Sequence, residues 1–222
     1  MSDYPLLFNV TGQLCVVVGG GTVGSRKVRG LLNSGARVRL IAPEGNSVFQ
    51  DVPSVEVIAR HFLPADLDGA CLAFAATDDR AVNVAVAAAA RARGIPVNSA
   101  DDPAAGDFTL PATLQRGKLS ISVATAGESP LLAVVLRDLL AEQFGEEWGA
   151  VVAIAAALRR KKLTPGMKNF YNPQVLQQLL AAGLPQLLAT GDIVAVDRLL
   201  TEHLGPRWTL AALDVRLSEE MI

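Results

Sequence analysis

Histidine and cysteine are scarce in this chain of 222 residues, two of each, and aromatic residues make up only 5%. The cysteines, Cys15 and Cys71, lie in apolar runs with no second Cys or His at metal-ligand spacing, so they read as small buried hydrophobes. His61 and His203 each stand alone, which leaves no visible catalytic triad and no residue assigned as a metal ligand. The only tyrosines, Tyr4 and Tyr171, are badly placed for the Tyr and Lys pair of a small-carbonyl reductase. Excess charge is missing too. A net charge of −2 and a pI near 5.7 give no global attraction for nucleic acid or anionic membrane, so any anionic ligand must be held locally. Charges or glycines interrupt every apolar run before the roughly 18 residues a spanning helix needs, and signal-peptide organisation is absent. The expected compartment is the cytoplasm.

What is present is ample apolar material, 50% hydrophobic against 19% charged residues, enough for a core in one domain or two. One stretch organises it. Leu14 to Val18 is an apolar run that breaks at Gly19-Gly20-Gly21 and restarts as a helix at Thr22-Val23-Gly24-Ser25-Arg26-Lys27. Gly19, Gly21 and Gly24 keep the G-x-G-x-x-G spacing, in which the first glycine turns the chain, the second admits a pyrophosphate and the third lets helix pack on strand. Free N–H groups and the positive end of the helix dipole then face the anion, so the stretch predicts a bound dinucleotide.

Residues 36–42 alternate as a second strand that completes a βαβ unit and ends at Pro43-Glu44. The acidic residue that takes the ribose hydroxyls in NAD-binding examples, about 20 positions past the glycines, is not clearly present. No arginine cluster follows Pro43 to seat a 2′-phosphate, and NAD is therefore favoured over NADP, with Glu44 either reaching a ribose or lying in an exposed loop. Cofactor contacts are assigned to Gly19, Gly21, Thr22, Val23, Gly24, Pro43, Glu44 and Thr77. Residues 54–60, 71–77 and 95–100 read as three further strands of a parallel sheet, and Tyr4 to Val10 is expected to pack against it. Asp78-Asp79 opens an alanine-rich helix, with capping the preferred role.

From Asp107 the texture changes. A strand pair outside the parallel order follows, with Arg116 and Lys118 flanking Gly117 in its turn; then Ser129 and Pro130 start a helix that runs to about Gln143. A helix over 146–162 ends in Arg159-Arg160-Lys161-Lys162, favourable at a helix C-terminus, and leucine-rich helices fill 173–204.

Five separated segments agree with one family. The glycine stretch, Ala75-Ala76-Thr77-Asp78-Asp79, Val97 to Pro103, Asp107 to Ala112 and Thr125 to Pro130 resemble precorrin-2 dehydrogenase, the siroheme-pathway enzyme that also forms the N-terminal module of siroheme synthase. Departures are modest: Gly24 stands where the family usually has alanine, and Ser99-Ala100 replace valines. The resemblance implies an α/β fold, a Rossmann parallel sheet over 1–112, a small dimerisation segment over 113–148 and a C-terminal helical domain over 149–222. It also implies a homodimer that passes a hydride from precorrin-2 to NAD, giving sirohydrochlorin; some members also insert ferrous iron. The end of the chain at Ile222, without a methyltransferase module, suggests a stand-alone protein supplied with precorrin-2 by another enzyme.

Hydride removal from a tetrapyrrole leaves a companion proton that needs a base, and the family's functional aspartate maps onto Asp101. The competing role for Asp101 and Asp102 is simply to form the turn before Pro103, and for Asp102 that role suffices. Precorrin-2 is a polycarboxylate, so substrate contacts are sought among Asn98, Arg116, Thr125, Gly127 and Ser129, with Arg26, Lys27, Lys118 and Arg137 as further cations. The loop from Thr125 to Ser129 precedes a helix N-terminus and is either a carboxylate pocket or an ordinary cap. Insertion of ferrous or cobaltous ion stays an option, because a transient metal needs only one carboxylate and the macrocycle's nitrogens. The rival class is a nucleotide-sensing regulatory module without turnover, which would have little use for Asp101.

Overall fold

The computed structural model describes residues 3–162 and 171–217, and the chain divides into two compact units, 1–110 and 111–222. Residues 163–170 and 218–222 of the expected 149–222 domain lie outside the described residues.

In the first unit five parallel strands, β1 (Leu14–Val18), β2 (Arg37–Ile41), β3 (Val55–Ile58), β4 (Leu72–Ala75) and β5 (Val97–Ser99), stand in the order β3-β2-β1-β4-β5. The central strand explains its own composition. Cys15 and Val17 enter a core shared with Val28 and Leu31 of α1 (Thr22–Asn33), while Val16 and Val18 enter a second core with Val86, Ala87 and Ala90 of α2 (Arg80–Arg91). A strand covered on both faces has no polar side to alternate with, hence the unbroken apolar run. Helix α2 begins as expected: the Asp79 side chain accepts from Ala81 N and Val82 N at 2.8 and 3.3 Å.

Two expectations need correction here. Tyr4 to Phe8 does not pack on the sheet: Tyr4, Leu6, Leu7 and Phe8 are all exposed and only Val10 is buried, because α1 and the neighbouring strands already close that core. Cys71 precedes β4 rather than lying inside a strand and is half-buried, its Sγ 3.7 Å from that of Cys15. Burial, reinforced by Cys71, pushes the Cys15 thiol up to about 12, so it stays protonated and inert like any core residue.

The second unit opens with an antiparallel hairpin, β6 (Ala112–Arg116) and β7 (Leu119–Val123), in register from Ala112 opposite Val123 to Arg116 opposite Leu119. Gly117 turns it with φ +53°, and a side chain there would start 3.1 Å from the Gly149 Cα. Helix α3 (Pro130–Gln143) follows. Then α4 (Trp148–Lys162), α5 (Pro173–Ala181), α6 (Leu184–Ala189), α7 (Ile193–Leu204) and α8 (Leu210–Leu213) enclose a core that includes Ile154, Leu158, Leu179, Leu188 and Leu200. No helix among the described residues is long and apolar enough to cross a membrane.

Candidate functional site: the carboxyl rim of the parallel sheet

Strand order reverses direction between β1 and β4, and in open α/β sheets ligands bind at such a point, outside the carboxyl ends of the strands. The glycine turn stands at this rim. Gly19 has φ +119°, and a Cβ there would lie 2.2 Å from the Ala76 carbonyl oxygen, so only glycine allows the chain to pass against the end of β4. Gly24 is just as constrained: its Cβ would meet the Gly19 oxygen at 1.9 Å, which fixes how closely α1 seats on the turn. Gly21 differs. Its φ of −71° suits any residue and a Cβ would meet nothing within 4 Å, so neither backbone nor packing within the protein calls for glycine. Open space above Gly21 is what close approach of a diphosphate requires.

The donors are in place as well. Helix α1 has no side-chain cap and no acidic residue in its first turn, and its first bond runs from Ser25 N to Gly21 O at 2.9 Å. The N–H groups of Thr22, Val23 and Gly24 therefore lack a helical acceptor, and Gly21, Thr22 and Val23 are exposed. The residues present fit a dinucleotide: Gly21, Thr22, Val23 and Gly24 would hold its diphosphate, and Pro43 and Glu44, both exposed at the end of β2, border the ribose side. A residue that sequence reasoning passed over locks this rim. The Asn46 amide donates to Gly20 O at 2.9 Å and to Ser25 Oγ at 3.1 Å, tying the loop after β2 to the glycine turn. Its place, three residues beyond Pro43, was the available signal.

Asp101 stands two residues past β5 and is exposed; the preceding residue is anchored by Ala100 N donating to Ala75 O at 2.9 Å. Ser99 Oγ donates to Asp101 Oδ1 at 2.7 Å. That hydroxyl, with Asn83, the residue's own N–H and the Arg80 cation, holds the Asp101 carboxyl below its usual range against a smaller opposing effect of burial. It is therefore ionised at neutral pH. Asp102 does the turn work instead, its side chain accepting from Ala104 N at 3.1 Å and lying 3.7 Å from Arg80. Thr77 is at the rim, but its side chain is engaged: Oγ1 lies 2.8 Å from Asn83 Oδ1 and 2.9 Å from the Asp79 carbonyl.

Asn98 is buried and spoken for, donating to Phe108 O at 2.9 Å and accepting from Lys27 Nζ at 2.6 Å. Lys27 itself is half-buried over the Phe74 ring, and burial, with a contribution from Arg26, brings its ammonium down to about 8. The remaining assigned residues belong to the second unit. Arg116 donates to Phe144 O at 2.8 Å and pairs with Glu146 at 2.9 Å, so its guanidinium ties the hairpin to the segment between α3 and α4. Thr125 and Ser129 cap α3: Thr125 Oγ1 accepts from Ser129 N at 3.1 Å and Ser129 Oγ from Leu132 N at 3.3 Å. Between them Ala126 and Gly127 both take positive φ, +50° and +81°. Among the described residues no group of three or more His, Cys, Asp or Glu could hold a metal ion.

Comparison with known proteins agrees with this geometry. A family described as putative NAD(P)-binding matches residues 6–112. Fold and rim together define a Rossmann protein that binds a nicotinamide dinucleotide. The siroheme synthase of Pseudomonas aeruginosa PAO1 is 33% identical over 217 residues, covering 92% of this chain and 45% of that protein. The siroheme synthase of Methylococcus capsulatus is 39% identical over 163 residues, 72% of this chain and 34% of that one. Among solved structures, one named SirC, precorrin-2 dehydrogenase, superposes with a TM-score of 0.67 at 24% identity, covering 90% of this chain and 98% of its own, and shares the fold. Over most of its own length the chain is similar to siroheme synthases, and it spans less than half the length of those it matches.

Proposed function

We propose that the chain oxidises precorrin-2 to sirohydrochlorin with NAD as acceptor, acting as a homodimer in the cytoplasm. The observation that carries this reading is the ionised Asp101 carboxylate on the same sheet rim as the glycine turn. When bound, the dinucleotide supplies a hydride acceptor. Asp101 takes the companion proton, which it can do because its carboxyl is unprotonated at neutral pH. The exposed Glu44 supports NAD over NADP, since an anion at the ribose end of β2 repels a 2′-phosphate. The loop from Thr125 to Ser129 and the exposed Lys118 are the proposed partners of the substrate's carboxylates.

Support for the dimer comes from α3. Its Leu131, Leu132, Val134, Val135, Leu136 and Leu139 are exposed and Ala133 alone is buried, an apolar surface too large for a lone surface helix. The dimerisation segment is accordingly 113–148, with 149–222 as the helical domain.

The test is incubation with precorrin-2 and NAD, following sirohydrochlorin absorption and NADH together. Asp101→Ala is expected to retain dinucleotide binding while turnover falls about 100-fold or more, the usual worth of a general base. Unchanged turnover would remove Asp101 from the mechanism, and tight NAD binding with neither product would favour a sensor. Asp101 is also the candidate for inserting ferrous or cobaltous ion into sirohydrochlorin; an anaerobic assay with each ion decides that activity.

A further inference from the structure

We propose that Ser99 is a positioning residue for the Asp101 carboxylate, so that the base presents one fixed oxygen to the reacting carbon. The inference rests on the reading of Asp101 as base and goes beyond it by naming what aims that base.

Ser99 is 5% exposed in the last position of β5, where its neighbour Val97 packs in an apolar core. A buried hydroxyl is costly unless it is used, and here it donates to Asp101 Oδ1 at 2.7 Å, a short bond strengthened by the acceptor's charge. Asn83, 2% exposed, lowers the Asp101 carboxyl less than Ser99 does, and its side chain is fixed by Thr77. Its Oδ1 accepts from Thr77 N at 3.1 Å and its amide donates to Thr77 O at 3.0 Å. Thr77 directly follows Ala76, whose carbonyl lies against Gly19.

None of this is needed for the chain to turn, because Asp102 and Pro103 do that. An aspartate beyond a strand end, left to itself, samples several rotamers, whereas proton transfer needs the acceptor oxygen held at one place. Ser99 occupies Oδ1 and directs the proton to Oδ2. Charged groups on the surrounding elements are Arg80 at the start of α2, Asp78 and Asp79 just before it, and Asp102 in the same turn; Arg80 alone contributes noticeably to the carboxyl's acidity. Removing the Ser99 donor weakens the ionised form relative to the protonated one, so the group must titrate at higher pH.

The experiment compares Ser99→Ala, Ser99→Thr and Asp101→Asn in the full chain, measuring kcat and KM for precorrin-2 across pH, and the dissociation constant of NAD. In Ser99→Ala we expect kcat at neutral pH to fall about tenfold, the cost of a lost charge-assisted hydrogen bond, and the acid limb of the kcat profile to move to higher pH. KM and NAD affinity should hold, and Ser99→Thr should restore both kcat and the limb. Should Ser99→Ala fail to fold, Ser99→Cys, a weak donor of similar size, takes its place. A Ser99 variant with unmoved kcat and acid limb, alongside an inactive Asp101→Asn, overturns the positioning role and leaves Asp101 standing. An active Asp101→Asn overturns the base itself and this inference with it.

Discussion

At the scale of single residues, the environment of Lys27 carries a consequence for stability. A lysine that loses water on folding, with its ammonium brought down to about 8 from an ordinary 10.5, makes stability depend on alkaline pH. Between those values the unfolded chain carries a proton the folded one has shed, so stability rises with pH across that window; below pH 8 the full cost of burying the charge is present. In Lys27→Met that rise should disappear, so the urea midpoint of wild type should climb relative to that of the variant from pH 8 to 10.5. Below pH 8 the variant escapes the cost of the buried charge but leaves Asn98 Oδ1 without its donor, a loss of roughly 1–3 kcal/mol, so its stability relative to wild type is highest there and falls as pH rises. Lys27 was legible in the sequence only as a cation near the glycines; its pairing with Asn98 joins positions far apart in the chain and has no local signature. Asp101 and Ser99 are the opposite case. They are two residues apart, and the strand that ends between them turns a sequence neighbourhood into a hydrogen bond.

At the scale of elements, the strand, turn and helix from Leu14 to Asn33 follow local rules closely, and the one surprise is how tight their junction is. The family resembled by this chain usually carries alanine at position 24, yet here a Cβ would stand 1.9 Å from the Gly19 oxygen. Gly24→Ala must therefore push α1 off the turn, costing about 1–3 kcal/mol as overpacking does. Because the displaced N–H groups are those proposed to hold the diphosphate, NAD affinity should drop together with the thermal midpoint, measurable by fluorescence titration and calorimetry. A variant with wild-type affinity and midpoint would show that the turn has slack. The element that escaped sequence reasoning is the N-terminal segment: Tyr4 to Phe8 is apolar enough to read as core, but nothing in its own composition says that the sheet has no room for it. Arg116 and Asn98 teach the same lesson, each of a type that suits a substrate and each already engaged by protein partners.

At the scale of the whole molecule, the described residues form two apolar cores in the first unit and one in the second, and α3 is the element whose apolar surface none of them consumes. A helix exposing that much hydrocarbon suits the seam of the proposed dimer, and a two-stranded hairpin beside it is marginal without added packing. Leu132→Glu combined with Leu139→Glu, both at exposed positions, should yield a monomer by light scattering after gel filtration, with the first unit's NAD binding retained. A dimer that survives both charges would move the seam elsewhere.

Sequence alone determined the order and type of the main elements, the parallel sheet, the dinucleotide turn and the aspartate beyond the fifth strand, because each depends on near neighbours: periodicity, glycine spacing, a strand end. Tertiary structure alone decided which polar side chains were already taken, which core each strand face fills, and that Asp101 accepts from Ser99. Those outcomes depend on distances between residues remote in the chain, and only folding sets them.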